Sequence, residues 1–187
     1  MKHSRRHLQV RQGAAAVGDA PFASGSTRIG RRRLLTAAAI AGMGLAPPVR
    51  AHHGWSSFDP ERPIYLEGRV AKARWANPHA EVELDVVPGT RPPADLAQRR
   101  VPPQQAGVDG PALLAKTQAP RRADRRWTVE FAPLTRMDAW KVPELRVGDT
   151  LSVVGFTFKD EKGEAVLRAE YLFVGGQAYG MRSSPAG

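Results

Sequence analysis

The residues best suited to chemistry in this chain are histidines. His52 and His53 follow Val49-Arg50-Ala51, where small residues suit a signal peptidase cutting after Ala51. That cut makes His52 the first residue of the product. An N-terminal histidine offers a metal ion its free amine and its ring nitrogen together, closing one small chelate ring. His79, in Trp75-Ala76-Asn77-Pro78-His79, supplies a further imidazole. Imidazole nitrogens suit Cu(II), and copper heads the divalent affinity order. A terminal amine titrates near about 8, so a metal can displace its proton at neutral pH. His53 is an alternative ligand, or a residue that orients the first ligands. Met137 and Met181 are soft candidates for Cu(I), with Met137 reading better as core. The plain alternative is a mobile terminus and a His79 that caps a turn.

Other chemistry is thinly represented. The absence of cysteine excludes disulfides, thiolate zinc sites, iron–sulfur clusters and Cys-attached haem. Ser56 and Ser57 have no local motif around them, and a triad would need its base from the same histidines. Glu81, Glu83 and Asp85 share one strand face and read as a solvated face rather than an acid–base pair. No phosphate loop, dinucleotide fingerprint or zinc-protease helix is present. Trp55, Phe58, Tyr65 and Trp75 flank the histidines. They either line a small-ligand cleft at a barrel mouth or plug the barrel end and pin the N-terminal segment.

The first fifty-one residues read as a targeting segment. Arg31-Arg32-Arg33-Leu34-Leu35 has the twin-arginine pattern, with Arg31 and Arg32 as the pair and Leu34 and Leu35 as the apolar residues. An apolar run to Ala46 follows, too short to span a bilayer as a helix, and Pro47-Pro48 breaks it. Gly30 precedes the arginines where Ser is usual, so general secretion stays open. Residues 1–30 add a long basic leader. The whole chain carries a formal charge of +10. Residues 52–187 carry 19 basic and 17 acidic side chains, so most of the positive charge belongs to the leader. The charge is therefore no argument for nucleic-acid binding. The expected product is periplasmic or secreted, with no transmembrane helix.

The 136 residues after Ala51 suit one domain with one core. Five segments read as strands. Ile64 to Trp75 is long, and its apolar phase changes shortly after Gly68, which predicts a bulge or bend. Glu81 to Val86 and Trp127 to Phe131 alternate strictly, directing Val82, Leu84 and Val86 to a core. Leu151 to Phe158 and Ala165 to Val174 form a hairpin around Asp160-Glu161-Lys162-Gly163. Between the third and fourth strands, Pro133 to Lys141 fits a short helix with Leu134, Met137 and Lys141 on one face. This order makes the chain all-β with one short helix. It fits a five-stranded OB-like Greek-key barrel, and also a small two-sheet sandwich.

Residues 89–126 interrupt the second-to-third strand connection. They hold six prolines, no aromatic residue, eight basic and three acidic side chains. That composition predicts a disordered surface insertion, with Pro111 to Lys116 a brief helical turn. Its charge allows weak contact with an anionic surface, against the default of a solvated linker.

The stretches Ala51-His52-His53-Gly54-Trp55-Ser56-Ser57-Phe58-Asp59, Ile64 to Val70 with Gly68 and Val70, and Trp75-Ala76-Asn77-Pro78-His79 resemble domain-of-unknown-function family 6152. Arg146-Val147-Gly148-Asp149-Thr150-Leu151-Ser152-Val153-Val154-Gly155 resembles the same family's Gly-Asp-x-Val-x-Val-x-Gly segment. Gly54 stands where Ser is commoner. The resemblance implies export and a small β-fold and supplies no activity. The preferred expectation is an exported binding module with copper held by His52, His53 and His79. The alternatives are a metal-free module that binds a protein or small ligand and a copper-dependent oxidoreductase. Nucleic acid is not an expected partner.

Overall fold

The computed structural model describes residues 55–187. The leader, Ala51, His52 and His53 lie outside the described residues. Strand β1 spans Ile64–Arg74, β2 Glu81–Val86, β3 Arg126–Glu130, β4 Thr150–Phe156, β5 Val166–Val174 and β6 Gln177–Gly180. Helix α1 spans Gly110–Ala115 and α2 Leu134–Ala139. Among the described residues, no helix is long and apolar enough to cross a membrane.

Closure of the sheet separates the barrel from the sandwich. Antiparallel pairs join β1 to β2, β2 to β3, β4 to β5 and β4 to β1. A parallel contact between β3 and β5, with Thr128 beside Val166 and Glu130 beside Arg168, completes the ring. Five strands in this closed order form the expected small OB-like β-barrel, with its edges paired instead of free. Strand β6 adds a hairpin onto the far half of β5 and was not apparent from the sequence.

β1 closes the barrel because it serves two neighbours. Its first half pairs with β4 and its second half with β2, and Gly68 pairs with both Leu151 and Val86. A Cβ on Gly68 would lie 2.2 Å from the Asp85 carbonyl oxygen, so only glycine lets the strands cross there. The register shifts between Val70 and Lys72, which is the bulge that the phase change predicts. Leu66, Val70, Val82, Leu84, Trp127, Val129, Leu167 and Leu172 fill the interior. Met137 of α2 is fully buried in the same cluster. Lys141 departs from the expected helix face. It is exposed and takes φ +55°, ending the helix in the left-handed conformation.

The insertion is ordered, contrary to the reading from composition. Leu96, Leu113 and Leu114 are buried with Phe58, Tyr65, Val154, Phe156 and Tyr171 in a second apolar cluster. Averaging over the whole segment hides these apolar residues, which are concentrated in the turn Leu96–Gln98 and in α1. They meet an outer barrel face of β1, β4 and β5 that is itself apolar, so burial offsets ordering entropy. The expected helical turn at 111–116 is α1, capped by Asp109, whose carboxylate accepts from Ala112 N at 3.0 Å.

A packed insertion makes a direct prediction. Leu114→Ala should lower unfolding free energy in urea by about 2–4 kcal/mol. A loss under about 0.5 kcal/mol, as at an exposed loop position, would contradict the packing.

Candidate functional site

His79 stands on the loop between β1 and β2, and the loop is tied down from three sides. The Asn77–Pro78 peptide is cis, consistent with the turn that Asn-Pro predicts. Asn77 Oδ1 accepts from the backbone N of Leu134 at 3.2 Å, joining the loop to the start of α2. Arg74, the last residue of β1, donates through Nε to Glu81 Oε1 at 2.9 Å and through Nη2 to the His79 carbonyl at 3.1 Å. One guanidinium thus laces the two ends of the loop. His79 is half-buried and its backbone is held.

The barrel's closed register extends this anchor into a row. Arg74 pairs with Glu81, Glu81 with Glu130, and Glu130 with Arg168, on neighbouring strands β1, β2, β3 and β5. Their side chains lie on the outer surface, because Val82, Val129 and Leu167, one position along, fill the interior. The signs run plus, minus, minus, plus. Two carboxylates side by side repel, and a flanking guanidinium offsets each one. Arg168 donates to Glu130 Oε2 from Nε at 2.8 Å and lies 2.7 Å away through Nη2. Three of the four are shielded, with side-chain exposure of 12% for Glu81, 11% for Glu130 and 8% for Arg168, whereas Arg74 is 38% exposed. The Arg74 guanidinium is held above its ordinary pKa, chiefly by its hydrogen bond to Glu81 and against the opposing effect of burial.

The beginning of the described chain ends on this row. Phe58 is buried, with the Arg168 guanidinium 5.3 Å from its ring centre and the Phe158 ring stacked at 5.1 Å. Asp59 N donates to the Thr157 carbonyl at 2.9 Å. The segment that leads back to His53 and His52 is therefore pinned beside Arg168, two strands from Glu81.

The structure divides the expected mouth aromatics between two clusters. Tyr65 lies under the insertion in the outer cluster, and its hydroxyl donates to Glu67 Oε2 at 2.7 Å. Burial is the main cause raising its pKa. Phe58 belongs to that outer cluster, whereas Trp75 packs against the interior one. The two therefore pack in different clusters. The Trp55 side chain lies outside the described residues. Met137 and Met181 are both buried in the interior cluster. Among the described residues, no group of three or more His, Asp or Glu side chains is arranged to hold a metal. Glu83 and Asp85 form surface ion pairs with Lys72 and Arg126, matching a solvated face; Glu81 is the shielded member of that trio.

Three buried carboxylates escaped sequence reasoning: Glu130, Glu161 and Glu170. Glu170 is fully buried, accepting from Gln104 Nε2 at 2.9 Å and Arg182 Nε at 2.8 Å. Glu161 accepts from the Arg62 guanidinium and from the backbone N of Arg121 and Arg122. For Glu130 and Glu170 the available signal was a charge inside an apolar strand, as in Val166-Leu167-Arg168-Ala169-Glu170-Tyr171; Glu161 lies in a turn and gave none.

Residues 41–92 match the model described as a family of unknown function, DUF6152. This stretch, which includes β1, the His79 loop and β2, is similar to that family. No curated protein and no solved structure matches the chain.

The charge row can be tested directly. Glu130→Ala should cost about 3 kcal/mol or more, because it leaves Arg168 buried without its carboxylate. The double change Glu130→Leu with Arg168→Met should recover most of that loss in urea unfolding. Equal destabilisation by the single and double changes would show that the pair is not the cause.

Proposed function

We propose that the protein is an exported β-barrel binding module that holds copper where the start of its processed chain meets His79. The observation that carries this reading is the position of Phe58. Three residues from His52 to Trp55 reach at most about 10 Å, and the 3-10 turn Trp55–Ser57 adds about 6 Å. From Arg168, under Phe58, to Glu81 is two strand spacings, about 10 Å. His79 is two residues further, about 7 Å along the strand direction, so the direct separation is roughly 12 Å. The tether is long enough for the terminal histidines to meet the His79 loop.

The donor set fits copper. The described residues supply one imidazole on an anchored backbone. Cleavage after Ala51 would supply the amine and imidazole of His52, and His53 would serve as a further ligand or orient the first ones. A nitrogen-rich set with few carboxylates favours Cu(II) over calcium or magnesium. The nearest shielded carboxylates, Glu81 and Glu130, are already held by Arg74 and Arg168.

The test begins with the mass of the exported product, which should start at His52. That product, a version with one additional Ala before His52, and His79→Ala are then titrated with Cu(II). The unmodified product should bind at least roughly tenfold more tightly than either variant. Equal affinity in all three would remove the amine and His79 from the site.

A further inference from the structure

We propose that the insertion between β2 and β3 is a cationic docking face for an anionic lipid surface. This inference does not depend on copper. The inward side of the insertion is committed to packing, through Leu96, Leu113 and Leu114 on the outer barrel face and through Gln104 on Glu170. Its three acids are engaged locally. Asp95 pairs with Arg99 at 3.0 Å, Asp124 pairs with Arg122, and Asp109 caps α1. Arg126 pairs with Asp85 of the barrel at 2.8 Å. Five cations are left over: Arg91, Arg100, Lys116, Arg121 and Arg125. All five are exposed. None of them makes an ion pair among the described residues.

The chemistry of this surplus selects the partner. Four of the five are arginines, whose planar forks suit phosphate oxygens. The insertion has no aromatic residue, so it offers no stacking platform for the bases of a single-stranded nucleic acid. Leu96, Leu113 and Leu114 seat the insertion on the barrel, while its five surplus cations are exposed to solvent. A surplus of exposed cations suits an array of anionic headgroups, whose attraction acts within about a Debye length. The exposed large apolar residues, Val87 and Val147, lie outside the insertion. The contact is therefore electrostatic, reversible and sensitive to salt.

Co-sedimentation of the full chain with vesicles tests the proposal, using phosphatidylcholine alone or mixed with phosphatidylglycerol. The leader is basic, so the comparison is made between two variants that both keep it and lose equal charge. One is Arg91→Gln, Arg100→Gln, Lys116→Gln; the other is Lys141→Gln, Arg146→Gln, Lys159→Gln, at exposed positions outside the insertion. The first should weaken binding to anionic vesicles roughly tenfold or more, and the second by about twofold or less. High salt should abolish the difference. Equal losses in the two variants would overturn the proposal, as would no binding to anionic vesicles. Capture by polyglutamate without vesicle binding would likewise overturn it, in favour of an acidic protein partner.

Discussion

The parallel contact between β3 and β5 is the constraint on which the candidate site depends. It is short, with three residue pairs, yet it is what joins Arg168, and with it Phe58, to the outer row. Because β5 lies beside β3, Arg168 meets Glu130; because β2 lies on the other side, Glu130 meets Glu81, which meets Arg74 and the His79 loop. A slip of one residue would turn Arg168 inward and Leu167 outward, exchanging a charge for a core residue. The shielded pair Arg168–Glu130 therefore specifies register. Its net stabilisation is small compared with an apolar pair of similar shape, whereas breaking it is costly.

A second layer depends on two further buried carboxylates. Glu170 falls where the pairing of β4 with β5 shifts, between Val154 and Gly155, and holds both Gln104 of the insertion and Arg182 of the C-terminal tail. Gln104 Oε1 in turn accepts from the backbone N of Arg182 and Ser183 at 2.9 and 3.1 Å. Glu161 lies in a left-handed turn, φ +55°, and gathers Arg62, Arg121 and Arg122. One carboxylate fixes the insertion near its middle and the other near its end. Both replace lost hydration with several donors, as a buried charge requires. This explains how a segment rich in proline and arginine keeps one path over the barrel.

β2 and β3 were legible because alternation survives in them: Val82, Leu84 and Val86 on β2, and Trp127 and Val129 on β3, lie where the period of two puts them, whereas β4 and β5 are largely apolar runs buried on both faces. The bulge after Gly68 showed as a change of phase. The order of the insertion was not legible, since its folding depends on an apolar outer face that belongs to distant strands. β6 was hidden by its brevity and by the glycines around it. For the site, the turn at Asn77-Pro78 was readable, but the grouping of Tyr65, Phe58 and Trp75 was not. The fold gathers Phe58 and Tyr65 in the outer cluster and sends Trp75 against the interior one, a division that depends on the insertion covering one barrel face. The row from Arg74 to Arg168 requires the β3–β5 register, which no local pattern encodes.

The proposed site would join His79, on a backbone held by Arg74, to a processed chain start tethered through Phe58. The most direct measurement is electron paramagnetic resonance of Cu(II) on the processed protein, with nitrogen hyperfine structure resolved. The account predicts coupling from at least two imidazoles in the unmodified protein and the loss of one in His79→Ala. An identical spectrum from the two would contradict it, because copper would then be held without the loop that the barrel positions.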